Sequence, residues 1–415
     1  MTKSGQMLTD VDNLPGDWRL ANIGSCAEIL DSKRVPLSER QRTEQKGNFP
    51  YCGANGVIDY IGDYIFDGEY ILVAEDGGNY EKFQDSAYLM SGKFWVNNHA
   101  HIIKAINSAS TNRFLLYWLN YADLRKYVTG STRTKLNQDR LRDIILPLPP
   151  IREQQSIAEI LWVVDRKIES IDKEIQATEK LKTGLMQTLL TKGIGHTKFK
   201  MTEIGEIPEE WDVKPLHALS LNITDGKHGD CRNEKDSGYY FVSSKDVNEK
   251  KIVYESVRQI TKEDFEEAHR RTKLEPEDVL LTNSGSIGKL AIAEDDALTS
   301  RTTFQKSVAI IKPDKKVIYP KYLYYVLLDK TSALGKAANG SAQKNLLLRD
   351  LREFKVQLTH IAEQMKIAEV LTASDKKIEL LIKKKDETVS LKKALMQALL
   401  TGRVRVKHER TETYA

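Results

Sequence analysis

Cysteine is scarce: Cys26, Cys52 and Cys231 are the only three in 415 residues. They are odd in number, far apart and without C-x-x-C or Cys/His ligand spacing, which excludes a disulfide framework and a structural zinc site and fits a reducing cytoplasm. Long apolar runs are missing too. No stretch approaches the roughly 18 consecutive apolar residues of a membrane span, and residues 1–14 have neither the basic start nor the apolar run of a signal peptide. A soluble chain that is not exported and does not enter a membrane is therefore expected. Glycine (24) and proline (11) fall below ordinary usage, which excludes collagen-like and low-complexity architectures. An excess of one charge is also lacking, since 63 basic residues face 59 acidic ones for a net +4. Nucleic-acid binding would have to come from a local basic cluster.

What the chain does contain is a repeat. Residues 130–194 align without a gap on 340–404, with 27 of 65 positions identical. The shared anchors include Gly130-Ser131 with Gly340-Ser341, Glu153-Gln154 with Glu363-Gln364, Asp165 with Asp375, and Leu185-Met186-Gln187 with Leu395-Met396-Gln397. A second match opens each half: Leu14-Pro15-Gly16-Asp17-Trp18 answers Ile207-Pro208-Glu209-Glu210-Trp211, at a shorter offset, so the interiors differ by about 17 residues. Each half thus has a similar opening, a dissimilar middle and a near-identical end. Two copies of this length are too few and too long for a solenoid. They predict a pseudo-dimer in one chain.

The constant ends have helical periodicity. Ile157, Leu161, Val164, Ile168, Ile171 and Ile175 alternate steps of four and three, the seam of a coiled coil, and Leu181, Leu185 and Leu189 then step by four, as after a stutter. The second copy places Ile367, Leu371, Ile378 and Leu381 in the same register, weakened by Ser374 and Lys385 and followed by Leu391, Leu395 and Leu399. Prolines up to Pro150 and the acidic Glu153 mark a helix start near Arg152, and Thr191-Lys192-Gly193 marks its end. A rod of about 60 Å with one apolar stripe needs a partner, and its own copy, lying antiparallel, is the nearest.

The middles mix short apolar runs with turn residues, as in 60–67, 69–74, 239–243, 279–283 and 307–311, beside helical patterns at 112–127 and 320–334. The expected fold is α+β: two domains with curved β-sheets, separated by two long helices packed as an antiparallel coiled coil, with an internal pseudo-twofold repeat. The boundaries read as 1–150 and 196–360 for the two domains, 151–195 and 361–405 for the helices, and a tail at 406–415. Side chains suited to DNA bases and phosphates cluster in the loops. In the first domain they are Lys33, Arg34, Tyr51, Asn55, Asn97, Asn98 and His99; in the second, Lys227, His228, Ser243, Ser244, Lys245, Asn283, Ser284 and Arg301. Arg133 and Lys135, and likewise Lys344 and Asn345, follow the repeated Gly-Ser at equivalent places, which suits phosphate contact.

At these residues the chain resembles the specificity subunits of type I restriction-modification enzymes. Tyr51-Cys52-Gly53-Ala54-Asn55-Gly56 followed by Phe66-Asp67-Gly68-Glu69-Tyr70 is similar to a recurrent pattern of their target-recognition domains. The run from Thr202 to Trp211, the Pro150-x-x-Glu153-Gln154 segment and the Leu185-to-Thr191 helix end resemble further family features, and the resemblance covers nearly the whole chain. One departure is Thr359-His360 in place of Pro149-Pro150, which predicts a differently built start for the second helix. The resemblance implies a non-catalytic subunit that binds double-stranded DNA at a bipartite site. It implies two methyltransferase subunits as partners, optionally with restriction subunits. S-adenosylmethionine, ATP and Mg²⁺ would belong to those partners, and no cofactor or metal to this chain.

The residues offer two alternatives, a stand-alone adenine methyltransferase and a coiled-coil dimerisation protein. Asn48-Phe49-Pro50-Tyr51 is close to the Asn-Pro-Pro-Tyr loop of amino-methyltransferases, but its second residue is wrong and no Gly-rich cofactor loop follows an apolar strand. Gly285-Ser286-Ile287-Gly288-Lys289 is too short for a phosphate loop and has Leu290 where a Mg²⁺-binding hydroxyl belongs, so a turn between strands is expected. Pro276-Glu277-Asp278 lacks the downstream Glu-x-Lys of a metal nuclease.

Overall fold

The computed structural model describes residues 14–130, 134–248, 250–338 and 345–406. They fall into two compact units, one holding the residues up to Lys173 and those from Ile382 onward, the other Glu174–Leu381. Each unit therefore takes half of each long helix.

In the first unit a six-stranded mixed sheet runs in the order Ala27–Ile29, Ala100–Ala105, Phe66–Ala74, Ala87–Val96, Lys46–Gly53, Gly56–Ile61. All neighbours are antiparallel except Lys46–Gly53 beside Ala87–Val96, where Tyr51 and Cys52 align with Trp95 and Val96. The helix Asn112–Tyr121, capped by the Thr111 hydroxyl, packs on this sheet. Its apolar face brings Phe114, Leu115 and Trp118 into one core with Ile71, Val73 and Ile103. It stops at Tyr121, short of the expected 127, and the segment 60–67 is the end of one strand, a turn and the start of the next.

The second unit repeats this plan with one break. Ser220–Asp225, Val308–Pro313, Val279–Thr282 and Leu290–Ile292 form one sheet, and Arg258–Gln259, Tyr240–Val242 and Thr302–Phe304 another. The parallel pair recurs, with Phe241 and Val242 aligned with Thr303 and Phe304. The single strand Ala87–Val96 of the first unit is thus split into Leu290–Ile292 and Thr302–Phe304. The length difference lies between Val242 and Asn283, where the helix Lys262–Thr272 and the two-residue strands Val247–Asn248 and Lys251–Ile252 are inserted, Arg258–Gln259 taking the place of Gly56–Ile61. The helix Pro320–Asp329, with proline in its first turn, takes the place of Asn112–Tyr121.

The long helices run from Ile151 to Lys192 and from Ile361 to Leu400. Within the first unit, Lys392 pairs with Asp165 and Lys385 with Asp172, so the two helix halves lie antiparallel. In the second, Lys182–Asp375 and Lys377–Glu174 give the same sense. Ile157 and Leu161 share a core with Met396, Leu399 and Leu400, while Leu190 shares one with Ile367 and Leu371. Ile171, Ile378 and Leu381 are buried, and Val164, Ile168 and Ile175 half-buried. The expected stutter is absent. Leu181 and Leu391 are 59% and 52% exposed; Thr178, Lys182, Leu185 and Leu189 are half-buried, with Met186 beside them, and continue the alternation of four and three. The unbroken heptad places Lys182 and Lys392 inward, where each meets a carboxylate. That requirement outweighs the apolar pull of the leucine one position earlier.

The second helix starts as the first does, contrary to the expectation from Thr359-His360. Glu153 and Gln154 donate main-chain bonds to the Pro150 carbonyl (2.9 and 3.1 Å), and Glu363 and Gln364 to that of His360 (2.9 and 3.0 Å). A main-chain carbonyl serves in both, so proline is not required. The side chains explain the repeated Glu-Gln. The buried Gln154 amide donates to the Ala109 and Pro149 carbonyls, and the Gln364 amide to those of Val317 and Thr359. Glu153 accepts from Trp18 Nε1 (3.0 Å) and from Arg405, while Glu363 accepts from Trp211 Nε1 (3.1 Å) and the Ile194 main chain. Each glutamate therefore ties a domain's opening tryptophan to the chain leaving the other long helix. Burial pushes both carboxyls up, but these donors hold them below the usual range. Gly193 (φ +65°) ends the first helix where a Cβ would fall 2.7 Å from the Trp211 ring.

Candidate nucleic-acid interface

Strand register brings the first domain's loops to one end of its sheet. Ile29 faces Ile103 and Ala74 faces Ala100, so residues 31–34, 75–78 and 97–99 emerge together. Two main-chain bonds fix the junction: Glu75 N–H to the His99 carbonyl (2.9 Å) and Leu136 N–H to the Glu75 carbonyl (2.8 Å), with Asp76 bridged to Lys135. Beneath lies a charged cluster. Arg34 bonds Glu75 at 2.6 Å and lies 3.4 Å from Asp31; His101 Nδ1 meets Asp31 at 2.6 Å and Nε2 the Leu136 carbonyl at 2.6 Å; Lys135 reaches Glu75 at 3.0 Å. Burial raises the Asp31 carboxyl, but His101, the Ile102 N–H and Arg34 bring it below its ordinary value. Bonding to Glu75 raises Lys135. Asp31, Glu75 and His101 converge closely enough for a metal ion, yet Arg34 and Lys135 already balance the two carboxylates, so the cluster reads as a brace for four chain segments.

The second domain builds the same end. Ile223 faces Ile311, Thr282 faces Val308, and Asn283 N–H bonds the Ser307 carbonyl (3.0 Å). Leu346 N–H bonds the Asn283 carbonyl (2.8 Å), and Ser284 is bridged to Asn345. Asp225 pairs with His228 as Asp31 does with Arg34, each three residues on. Lys227 therefore stands where Lys33 does. Its contact with Glu267 at 3.1 Å raises its pKa. Asp225, His228, Asn283, Ser284, Lys306 and Asn345 line one cavity of about 370 Å³.

The loop end and the helix start are thus each built twice in one chain. The family described as type I restriction modification DNA specificity domain matches residues 15–180 and again 208–389. The chain belongs to this family. Among the specificity subunits it is similar to, the type I restriction enzyme MjaVIII specificity subunit of Methanocaldococcus jannaschii is 28% identical over 414 residues, covering 95% of each chain. A putative type I specificity subunit of Haemophilus influenzae, S.HindORF215P, is 28% identical over 361 residues and 86% of each. The fold is similar to that of the type I restriction-modification S subunit from M. genitalium, with a TM-score of 0.61 at 15% identity over 94% of this chain and 97% of that one. Among the described residues no helix is long and apolar enough to cross a membrane.

Within this specificity-family fold the candidate residues divide. Lys33, Arg34, Asn97, Asn98, His99 and Lys135 come together, and Asn55 sits exposed at the adjacent hairpin tip, lining a 940 Å³ cleft with Gly77 and Asn79. Asn97 is buried, its side chain accepting from His99 N–H at 2.8 Å. Tyr51 is buried and its hydroxyl accepts from Leu37 N–H at 2.9 Å, so its part is to hold the 34–38 segment. In the second domain Lys227, His228, Asn283, Ser284 and Asn345 gather, with Ser244 alongside through its N–H to the Ser307 hydroxyl (3.2 Å). Ser243 bonds Asp246 and Lys245 is exposed on the same turn. Arg301 lies away from them, ahead of Thr302 at the far end of the strand whose other end meets Lys227 through Gln305. Arg133 and Lys344 fall outside the described residues.

Sequence reasoning missed Glu75, Asp76 and Ser307. The available signal was the turn after a strand in both halves, Asp76-Gly77 and Ser284-Gly285, which marks equivalent positions. The rival motifs resolve into scaffold. Asn48-Phe49-Pro50-Tyr51 is strand, with Phe49 packed on Tyr64, and residues 285–289 form the turn between Val279–Thr282 and Leu290–Ile292. Glu277 and Asp278 are engaged by Lys315 and Lys312 at 2.6 and 2.7 Å.

Proposed function

We propose that this chain is the DNA-specificity subunit of a type I restriction-modification enzyme, reading a two-part sequence with one loop end per half-site. The observation that carries this reading is the loop end built twice on the same main-chain bonds, each time with a lysine and asparagine side chains beside it. One protein surface reading one continuous sequence has no need of two. Phosphate contacts would position each domain, and base contacts would choose the sequence. In this reading the chain is non-catalytic and works in the cytoplasm. Two methyltransferase subunits dock on it, optionally with restriction subunits, and bring S-adenosylmethionine, ATP and Mg²⁺. The domain limits 1–150 and 196–360, with helices at 151–195 and 361–405, belong to the same proposal.

The test is methylome sequencing of DNA from cells that co-express the chain with its cognate methyltransferase, alongside assays of the purified chain alone. Expected are methylated adenines in a gapped two-part sequence, and no turnover of S-adenosylmethionine, ATP or DNA by the chain alone. Turnover by a homogeneous preparation, or methylation at one uninterrupted sequence, would overturn the reading.

A further inference from the structure

The two loop ends share their main chain but not their side chains. The bonds 75 to 99 and 136 to 75 in the first domain recur as 283 to 307 and 346 to 283 in the second, with the bridges 76/135 and 284/345 beside them. The parallel strand pair adds another match, Asn97 N–H to the Cys52 carbonyl (3.0 Å) against Gln305 N–H to that of Val242 (2.8 Å). These bonds assign residue-by-residue equivalence without any likeness of sequence. Strand register adds Lys33 and Lys227, each four residues after the facing pair Ile29/Ile103 or Ile223/Ile311. Asp76, His99 and Lys135 are replaced by Ser284, Ser307 and Asn345.

Phosphates are alike at every step of DNA, so a group that binds them need not change between half-sites. Base edges differ, so the groups that read them must change. Resting on the function proposed above, we infer that His99, with Asp76 and Lys135, reads bases of one half-site. Ser307, with Ser284 and Asn345, reads bases of the other, and Lys33 and Lys227 hold phosphate in both. The geometry equips these groups for it. His99 Nδ1 bonds Asp76 at 2.9 Å and its main chain is held by Asn97, so the ring, 43% exposed, turns Nε2 outward. The Ser307 hydroxyl accepts from Ser244 N–H, which leaves its own proton to donate. Behind it the buried Asn283 Oδ1 has no partner among the described residues and lines the same cavity as Ser284 and Asn345. One end offers a ring nitrogen among charges, the other neutral hydroxyls and amides.

The experiment uses the full chain co-expressed with its methyltransferase, and methylome sequencing of wild type, His99→Ser, Ser307→His, Lys33→Ala and Lys227→Ala. A wild type that methylates no two-part sequence would count against the function itself and not against this assignment. Given that wild-type result, His99→Ser is expected to relax discrimination about tenfold at one base pair of one half-site, and Ser307→His to alter the other half-site only. The lysine variants should lower methylation without changing the sequence. His99→Ser and Ser307→His complexes that keep the wild-type sequence at wild-type selectivity, or that alter both halves together, would overturn the inference. If His99→Ser fails to assemble, Ser307→His decides by the same two outcomes. It enlarges a half-buried loop position and removes none of the main-chain bonds of the frame.

Discussion

Asp375 is the residue whose removal the structure prices most clearly. Its carboxylate, 8% exposed, pairs with Lys182 at 2.6 Å and Lys250 at 2.9 Å and accepts from the Tyr325 hydroxyl at 2.7 Å. Asp375→Ala would leave two ammonium groups without their main counter-charge, and Lys182 is itself only 14% exposed. Breaking a buried pair from one side costs about 3–5 kcal/mol. For a unit of this size each kcal/mol lowers the melting temperature by about 2–4 °C, so a fall of roughly 6–20 °C is expected. The repeat supplies an internal control. Asp165 makes the equivalent contacts with Lys392 (2.6 Å) and Tyr117 (2.7 Å), but has one lysine and is 34% exposed, so Asp165→Ala should cost about 1–2 kcal/mol. The assay is thermal unfolding of the full chain by circular dichroism across pH. Burial raises the Asp375 pKa, but Lys182, Tyr325 and Lys250 pull it below its ordinary value. Its stabilisation is therefore complete above the unfolded value near about 4 and is lost as pH falls through the lower folded value. Asp375→Ala should flatten the pH dependence of melting in that acid window. A melting temperature within 2 °C of wild type, taking ~2 °C as less than one kcal/mol, or an equal loss from Asp165→Ala, would refute the reasoning.

Leu161→Ala, in the core of the first unit, should destabilise by about 2–5 kcal/mol, whereas Leu181→Ala should stay within about 0.5 kcal/mol; urea unfolding of both variants checks which frame of the helix faces inward. Glu153→Gln leaves the Arg405 guanidinium with Asp17 as its one remaining carboxylate partner and weakens the tie to Trp18, so Trp fluorescence should report loosening of the first unit by about 1–3 kcal/mol. Lys33→Ala and Lys227→Ala should each reduce the slope of log affinity against log salt by about 1 in titrations of the assembled complex with DNA.

Much of this architecture was legible in the sequence because the repeated segments are local and periodic. A heptad from Ile157 to Ile175 fixes a helix and its buried stripe without reference to the rest of the chain. The repeated Glu-Gln and the aspartates at 165 and 375 stood out by identity, but their roles did not, since Glu153 meets Trp18 and Arg405 across 135 and 252 positions. The sequence also suggested a stutter that the structure does not have. Leu181 is apolar and correctly spaced from Leu185, and only the carboxylates opposite Lys182 and Lys392 show why the lysines turn inward.

The sequence by itself determined the duplication, the long helices, the α+β character of the middles and the resemblance that pointed to DNA specificity, all of which rest on composition, spacing and identity. Only the tertiary structure decided which loop residues stand together. It separated Arg301 from its neighbours, buried Tyr51, and paired Asp76, His99 and Lys135 with Ser284, Ser307 and Asn345. The physical reason is that the loops of a β-sheet are brought together by strand register. That register is a property of main-chain hydrogen bonds between distant segments, on which side-chain identity leaves little trace.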